Sequence, residues 1–293
     1  MTPTYGYDAV KGRHFLAIGD PGRAAQEITD GHLPARVGPP DVELSMASLP
    51  GMLVRAVSSR GLLHKSRSSL RQDAFALGRR AVRGEPERVI ALVCDGVGSL
   101  DCSDCAAALV SHRLAEFGSY GVSWPEAFAS VSKELYKVAS EAAEADAGGM
   151  ATTAVAVTVS RQGTAWLGDA AWVGDSTLWH LGHELEWTLV TGSQRQDGEL
   201  DYYSSAVQPM PTRDGSCTWC SFRIDSGALF VMTDGVGNAL LWSAEVRATL
   251  ASWWARPPEP FTFAAQVGFA KKTYADDRTV VGIWPDGIDE KCV

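Results

Sequence analysis

Two aspartates in this sequence each follow an apolar run and precede the same Gly-Val-Gly tripeptide. Asp95 ends the stretch VIALVCD and continues as DGVGS, and Asp234 ends ALFVMTD and continues as DGVGN. An ionised carboxylate that is buried alone is costly, so an apolar strand ending in Asp needs a partner for that charge. Each Asp-Gly pair, taken singly, is more often a tight turn, and it is the full set that favours a site.

Other acidic residues occupy similar places in the pattern. Asp175 follows AWVG, Asp276 and Asp277 precede the predicted strand RTVVGIW, and Asp73 opens the predicted strand DAFAL. If these strand ends converge, repulsion among the carboxylates raises their pKa values unless cations bind. Hard divalent cations prefer oxygen ligands, so the pattern favours Mg²⁺ or Mn²⁺ over zinc at such a cluster.

Composition is that of an ordinary globular protein. The chain has 293 residues, of which 45% are hydrophobic and 21% charged, enough to build a full core. No apolar run reaches the roughly 18 residues of a membrane span, and the first residues lack a signal-peptide pattern. The net charge of −9, without basic runs, argues against nucleic acid or an anionic membrane as the main partner.

The six cysteines are few for this length, which favours a reducing cytoplasm. Two Cys-x-x-Cys pairs, Cys102 with Cys105 and Cys217 with Cys220, could together provide the four thiolates of a structural zinc site. The second pair lies in a predicted strand, where residues three apart point to opposite faces. A redox pair would need thioredoxin-like flanking sequence. We expect reduced, partly buried thiols.

The elements that must position the acidic residues follow from hydrophobic periodicity. Residues 1–50 are rich in Gly, Pro and polar residues, which predicts a leader or peripheral arm before a catalytic domain at 51–293. Strands are predicted at LVRAVSS, DAFALGR and RVIALVCD. A helix follows at SDCAAALVSHRLAEFG, with Asp101 or Ser103 as N-cap and Gly118 as stop, and a second helix begins at SWPE.

The second half of the sequence repeats this grouping. Short strands between 151 and 191 resemble an antiparallel meander, and the polar segment 192–216 is long enough to suggest a functional loop. Two further strands, two helical segments at ALLWSAEVRATLASWW and PFTFAAQVGFAKK, and a closing strand complete the chain. Strands in groups with helices in pairs predict an α+β fold.

Six segments, in order, resemble the successive motifs of the protein phosphatase 2C family of metal-dependent serine/threonine phosphatases: RQDAFAL, VCDGVGS, ATTAVAV, VGDSTLWHL, FVMTDGVG and ADDRTVVGIW. The motifs are individually short, and their order and spacing over residues 53–284 carry the resemblance. It implies a four-layer α-β-β-α sandwich of two antiparallel sheets flanked by paired helices, with a dinuclear Mn²⁺ or Mg²⁺ centre at one end.

The resemblance also implies the metal ligands. Asp95 would bridge both ions, the Gly96 carbonyl would bind one of them, and Asp234 and Asp276 would complete the ligands of the other. Asp146 would be a ligand of a third ion. A water shared by the two ions would lose a proton near neutral pH and attack phosphorus in line, without a covalent intermediate.

Residues beside the metals are implied in the same way. Gln72 and Asp73 would hold metal-bound waters. Asp277 stands where the family often has Asn, and Asp175 is expected to be structural.

The sequence also departs from the family at the phosphate-binding position. Ser68 stands where the family usually has an Arg that grips the substrate phosphate, and Arg67 and Arg71 would point elsewhere if this segment is a strand. His64 could donate to the phosphate or protonate the leaving alkoxide, or it could be a hydrogen-bonded structural residue.

The sequence thus predicts a cytoplasmic phosphatase that acts on phosphoserine and phosphothreonine in protein targets of a serine/threonine kinase. The segment 192–216 would correspond to the family's variable flap near the substrate entrance. Because the Arg is missing, a pseudophosphatase that keeps the fold as a binding or regulatory module remains an alternative. A small-molecule phosphatase or a thiol-bound zinc regulator is a third interpretation.

Overall fold

The computed structural model describes residues 4–8, 13–27, 32–144, 149–191 and 208–286. The strands in this part of the chain are β1 (Thr4–Asp8), β2 (Arg13–Ala17), β3 (Val42–Leu49), β4 (Met52–Ser59), β5 (Ala74–Arg80), β6 (Arg88–Cys94), β7 (Ala154–Gln162), β8 (Ala165–Val173), β9 (Thr177–Leu181), β10 (Trp187–Leu189), β11 (Thr218–Ile224), β12 (Ala228–Met232) and β13 (Arg278–Pro285). The helices are α1 (Gly22–Glu27), α2 (Leu62–Ser66), α3 (Ser103–Tyr120), α4 (Trp124–Glu144), α5 (Asp234–Trp242), α6 (Ala244–Trp254) and α7 (Pro260–Val267).

Two antiparallel sheets form the centre of the fold. One has six strands in the order β10-β9-β12-β13-β4-β3, and the other has five in the order β11-β8-β7-β6-β5. Apolar side chains of the facing strands fill the space between the sheets. The outer face of the five-stranded sheet packs against α3 and α4, and that of the six-stranded sheet packs against α5, α6 and α7. The predicted four-layer α-β-β-α sandwich is confirmed.

Antiparallel pairing brings the acid-bearing ends of neighbouring strands together. In the five-stranded sheet Ala74 pairs with Cys94, so Asp73 before β5 lies beside Asp95 after β6. In the six-stranded sheet Met232 at the end of β12 pairs with Val280 near the start of β13. In each sheet, therefore, an Asp that follows one strand and an Asp that precedes the neighbouring strand lie at the same end of the sheet. None of the described helices has both the length and the apolar character needed to cross a membrane.

Strand β3 lies within the segment predicted to be a leader. Its residues pair with β4 from Val42 opposite Ser59 to Leu49 opposite Met52, and the tight hairpin between them uses Gly51 at φ 77°. The six-stranded sheet therefore begins at residue 42, before the boundary expected at residue 51. The division of the chain into a leader and a catalytic domain stays a prediction.

Helix α3 shows that one predicted stop was wrong. The helix continues through Gly118 to Tyr120 and ends at Gly121, which adopts a left-handed φ of 75°. At Gly118 a Cβ atom would lie 2.9 Å from the ring of Trp124 and 3.1 Å from Ile90. Gly118 is therefore a packing glycine inside the helix, and Gly121 is the one that terminates it.

Three further predictions need correction. Cys102, rather than Asp101 or Ser103, is the N-cap of α3, and no side chain caps the helix. The predicted meander is split, because β8 belongs to the five-stranded sheet and β9 to the six-stranded sheet. The predicted helix at 239–254 is two helices, α5 and α6, separated at Ser243, whose side chain accepts a hydrogen bond from the Val246 amide.

An aromatic cluster between the six-stranded sheet and its helices explains a glycine inside β13. Phe230 stacks on Trp254 and meets Trp284 edge-on, with ring centroids 5.2 Å apart in both pairs. The Trp284 ring folds back over Gly282, two residues earlier on the same face. A Cβ atom on Gly282 would lie 2.3 Å from that ring.

We expect Gly282→Ala to lower the free energy of unfolding by about 1–3 kcal/mol, the usual effect of overpacking a core. Urea denaturation followed by tryptophan fluorescence measures the change. The same substitution in a Trp284→Leu background should be less destabilising, because the opposing ring is absent. Equal effects in the two backgrounds would contradict this packing explanation.

Candidate active site

Asp95 and Asp234 meet where the two sheets end on the same side of the molecule. The two carboxyl groups are close enough to shift each other's pKa, although one follows β6 and the other follows β12. Burial raises the pKa of Asp95 well above its ordinary value, and the charges of Asp73, Asp234 and Asp276 raise it further. Burial also raises the pKa of Asp234 to about 6, with smaller contributions from Asp175 and Asp276.

Asp73 lies beside this pair and is fixed by two threonines. Its Oδ2 atom accepts hydrogen bonds from the hydroxyls of Thr233, at 2.7 Å, and Thr279, at 2.8 Å. The Thr233 hydroxyl oxygen also accepts the backbone N–H of Thr279 at 3.0 Å. Burial raises the pKa of Asp73 well above its ordinary value, and Asp277 adds to the effect. The two hydroxyls thus orient a carboxylate that sits in unfavourable surroundings.

Thr233 and Thr279 belong to the site but were not identified from the sequence. Both are completely buried. Thr233 directly precedes Asp234, and Thr279 lies two residues after Asp277. A buried hydroxyl needs a hydrogen-bonding partner. A threonine beside an aspartate at the tip of an apolar strand is therefore the pattern that could have revealed them.

The glycines after the two aspartates are required by close approach. A Cβ atom on Gly96 would lie 2.8 Å from the carbonyl oxygens of both Gln72 and Ser103, and one on Gly235 would lie 1.9 Å from the Asp277 carbonyl oxygen. Neither glycine has a positive φ. These glycines therefore do not provide a left-handed backbone, and each instead allows a neighbouring backbone segment to approach closely.

Asp277 ties the His64-bearing segment to the start of β13. Its Oδ1 accepts the Gly61 N–H at 2.7 Å and its Oδ2 accepts the Gln72 N–H at 2.5 Å. The His64 Nδ1 atom lies 2.8 Å from the same Oδ1. One buried carboxylate therefore contacts both ends and the middle of residues 61–72.

His64 is buried close to two carboxylates. Its Nδ1 lies 4.0 Å from Asp276 Oδ1 as well as near Asp277. Burial lowers the pKa of His64, but hydrogen bonding and charge from Asp277, with a further effect of Asp276, outweigh it and leave the pKa raised. The three side chains offer ligand atoms within 4.8 Å of one another. Both Asp277 oxygens also accept backbone N–H groups, so this carboxylate supports the loop as well as contacting His64.

Asp276 is the solvent-exposed member of the acidic cluster. Its side chain is 53% exposed, and its Oδ1 accepts the backbone N–H of Asp277 at 2.9 Å. Its charge raises the pKa values of both Asp95 and Asp234. The structure thus brings the carboxylates of Asp95, Asp234 and Asp276 to one place.

The chemistry of this set suits a hard divalent cation. The described groups that raise one another's pKa values are carboxylates, and the Gly96 carbonyl follows Asp95 directly in the chain; oxygen ligands of this kind suit Mg²⁺ or Mn²⁺. The Gln72 Oε1 atom is buried and has no hydrogen-bond partner among the described residues. It lies 3.4 Å from the position of a Cβ on Gly98, in the loop that follows Asp95. A buried acceptor without a donor and a set of like charges both fit a site completed by hydrated cations.

The segment around Ser68, the expected phosphate-binding position, does not form a strand. Residues 62–66 form α2, and Ser68 follows in a turn with φ 56°. Arg71 is buried and donates to the Ser58 carbonyl and the Glu43 carboxylate, so it is structural. Arg67 is exposed at the C-cap of α2.

Other predicted features have defined positions or lie outside the described residues. Gly174, with φ 93°, places Asp175 close enough to Asp234 to raise its pKa. The one group of described side chains with ligand atoms close enough to hold a metal ion is His64, Asp276 and Asp277, and it includes no cysteine. Asp146 and most of the predicted flap, residues 192–207, lie outside the described part of the chain.

We expect Asp234→Asn to stabilise the metal-free protein. A carboxyl whose pKa rises to about 6 on folding favours the folded state less as the pH increases from about 4 to about 6, since the folded protein holds the proton more tightly. At pH 7 the substitution should therefore increase the free energy of unfolding by about 1–3 kcal/mol. Urea denaturation in a chelator tests this, with Asp286→Asn as an exposed control. Equal stability of wild type and variant would contradict the raised pKa of Asp234.

We expect Asp277→Asn to destabilise the protein by about 1–3 kcal/mol, because an amide can accept only one of the two backbone N–H groups and leaves the other unsatisfied. Hydrogen exchange should be faster at Gly61 or Gln72, and urea denaturation gives the energy. Asp276→Asn is the matched control, since that half-exposed side chain accepts one N–H and can still do so as an amide. If both variants behaved alike, the double role of Asp277 would be refuted.

Comparison with known proteins agrees with this geometry. The family model described as Protein phosphatase 2C matches residues 60–266. No curated protein sequence matches the chain. Three solved structures share its fold: a bacterial serine phosphatase (13% identity, TM-score 0.57, covering 80% of this chain and 98% of that one), the serine/threonine phosphatase of S. agalactiae (14%, 0.55, 84% and 100%), and PppA of Pseudomonas aeruginosa, described as a key regulatory component of T6SS (15%, 0.53, 83% and 100%).

The matched segment contains the acidic loops at residues 72–73, 95–96 and 234–235, and it makes up more than half of the chain. The α-β-β-α sandwich is shared with the solved phosphatases over nearly their whole length. This chain belongs to the protein phosphatase 2C family.

Proposed function

We propose that this chain is a metal-dependent protein phosphatase that hydrolyses phosphoserine and phosphothreonine with a water activated by two divalent cations, Mn²⁺ or Mg²⁺. The grouping of Asp73, Asp95 and Asp234 at one end of both sheets, with Asp73 held by Thr233 and Thr279, is the observation that supports it most directly. Burial removes water from both carboxylates, and the charges that raise their pKa values come from other carboxylates. Bound divalent cations would stabilise the ionised carboxylates of such a cluster.

Asp95 and the Gly96 carbonyl would hold these ions together with Asp234 and Asp276. When bound, two such cations lower the pKa of a shared water and neutralise charge on the phosphoryl oxygens. Asp146 as a ligand of a third ion stays a prediction.

Gln72 and Asp73 would orient water beside the cluster. Asp73 is fixed in one orientation by the Thr233 and Thr279 hydroxyls, and its remaining carboxylate oxygen can accept a hydrogen bond from water. The buried Gln72 Oε1 atom provides a second acceptor. Such fixed acceptors hold a reacting water without having to reorganise during the reaction.

His64 would donate to the substrate phosphate or protonate the leaving alkoxide. The carboxylates of Asp277 and Asp276 raise its pKa despite its burial, which favours the protonated imidazole that either role requires. Contact with Asp277 also restricts the rotation of the ring.

Phosphorylated proteins, targets of a serine/threonine kinase, are the substrates we propose. The titles of two structures with this fold name a serine phosphatase and a serine/threonine phosphatase. The chain has a net charge of −9 and therefore repels an anionic phosphate ester. Bound cations at the site would overcome this repulsion locally.

The decisive test is hydrolysis of p-nitrophenyl phosphate and of a phosphothreonine peptide with and without Mn²⁺. We expect Asp95→Asn and Asp234→Asn to lower kcat/KM by more than about 100-fold, since removing a ligand should exceed the usual 10–100-fold effect of its supporting groups. Asp225→Asn, an exposed carboxylate after β11, is the matched control and should retain wild-type activity.

Calorimetric titration with Mn²⁺ separates loss of metal from loss of chemistry. Both active-site variants should bind Mn²⁺ more weakly while remaining folded. A folded wild-type protein without Mn²⁺-dependent hydrolysis would refute the enzyme proposal and favour the pseudophosphatase, which Ser68 in place of the usual Arg motivates.

A further inference from the structure

Residues 32–41 precede the segment matched by the family model and form a strap, here called the N-terminal strap. Arg60 fixes both of its ends. The Arg60 Nη2 atom donates to the His32 carbonyl at 2.9 Å, and Nη1 donates to the Asp41 carboxylate at 3.0 Å. Nη2 also donates to the carbonyl of His64 at 3.1 Å. One buried guanidinium therefore joins the strap to α2.

The middle of the strap lies against the turn after α2. The Ala35 amide donates to the Ser68 carbonyl at 3.2 Å, and the His32 amide donates to the Lys65 carbonyl at 3.0 Å. Gly38 approaches Leu70 so closely that a Cβ atom would lie 2.5 Å from the leucine side chain. The strap thus packs along the segment 61–73, which carries His64, Gln72 and Asp73.

Arg36 connects the strap to the second acid-bearing loop. Its guanidinium donates to the Asp104 carboxylate, and its Nη2 atom donates to the Asp101 carbonyl at 2.8 Å. Asp104 is only 8% exposed, whereas Arg36 is 46% exposed. Asp104 belongs to the first turn of α3, and the carbonyl of Ser103 in that turn packs on Gly96.

These contacts make Arg36 a bridge between two loops that are distant in sequence. Its Nη2 atom donates to the carboxylate and to the carbonyl at the same time, and the rigid guanidinium plane fixes the directions of these two N–H groups more closely than the ammonium of a lysine would. Losing the bridge would leave the largely buried Asp104 without this partner and would free the strap from α3.

We propose that Arg36 is a positioning residue that, through the N-terminal strap, holds the segments 61–73 and 95–104 in their catalytic arrangement. The functional unit then begins near residue 32. The inference rests on the proposed phosphatase function for its kinetic readout. Its structural readout, hydrogen exchange in the two segments, is independent of that function.

The experiment compares full-length Arg36→Ala, Arg36→Lys and Asp104→Asn with wild type. We expect Arg36→Ala to lower kcat for p-nitrophenyl phosphate about tenfold while KM changes less than about threefold, because small displacements of catalytic groups slow the reaction more than they weaken binding. Arg36→Lys should be intermediate. The double variant Arg36→Ala/Asp104→Asn should be no slower than the slower single variant if the two residues act as one unit.

Hydrogen exchange of the same proteins should be faster than in wild type in both segments, 61–73 and 95–104. Arg83→Ala is the matched control: Arg83 is exposed in the turn before β6, at the opposite end of that strand from Asp95, and it should match wild type in both measurements.

Faster exchange confined to residues 101–105, or a folded Arg36→Ala with wild-type kcat, would overturn the proposal. If Arg36→Ala does not fold, Arg36→Lys decides by the same two criteria. A wild-type protein without hydrolytic activity would refute the proposed function alone, and the exchange data would still decide whether Arg36 joins the two segments.

Discussion

Repulsion among carboxylates that have lost their hydration is the interaction on which the site depends. Asp95 and Asp234 are drawn together at the tips of β6 and β12, whose own residues are almost wholly buried, and Asp73 lies beside them at the start of the less buried β5. Burying one large apolar side chain contributes about 1.5–3 kcal/mol, and the strands ending at these tips each bury several. Hydrophobic packing between the sheets can therefore hold acidic groups in an arrangement that they would not adopt alone, and the site lowers the stability of the metal-free protein.

The support for this arrangement comes from backbone contact and hydroxyl groups. Gly96 and Gly235 let other backbone segments of the protein approach more closely than any side chain at these positions would allow. Asp277 accepts two backbone N–H groups that lie eleven residues apart in sequence. Because these contacts join protein groups directly, they help to fix the loops, which would reduce the ordering that cation binding requires.

The strands that carry acidic residues at their ends, from β5 onward, could be predicted from the sequence, because apolar runs and their terminal aspartates are local features. Contacts between distant segments could not. Gly118 and Gly121 offer the same local stop, and only the packing of Trp124 and Ile90 on Gly118 distinguishes them. Pairing of β3 with β4 and the link from Arg36 to Asp104 likewise depend on tertiary structure, which a polar, proline-rich segment does not reveal.

The cationic residues near the site show why metal ions would matter more in this chain than the family pattern implies. Arg60, Arg71 and Arg278 are buried, and each already donates to carbonyl or carboxylate oxygens of the protein. A guanidinium committed in this way cannot also grip a substrate phosphate without breaking those bonds. With Ser68 at the usual arginine position, neutralisation of the phosphate in the proposed reaction would fall mainly to the divalent cations. Substrate affinity and metal occupancy should therefore be closely linked, since the same ions satisfy the aspartates and the phosphate.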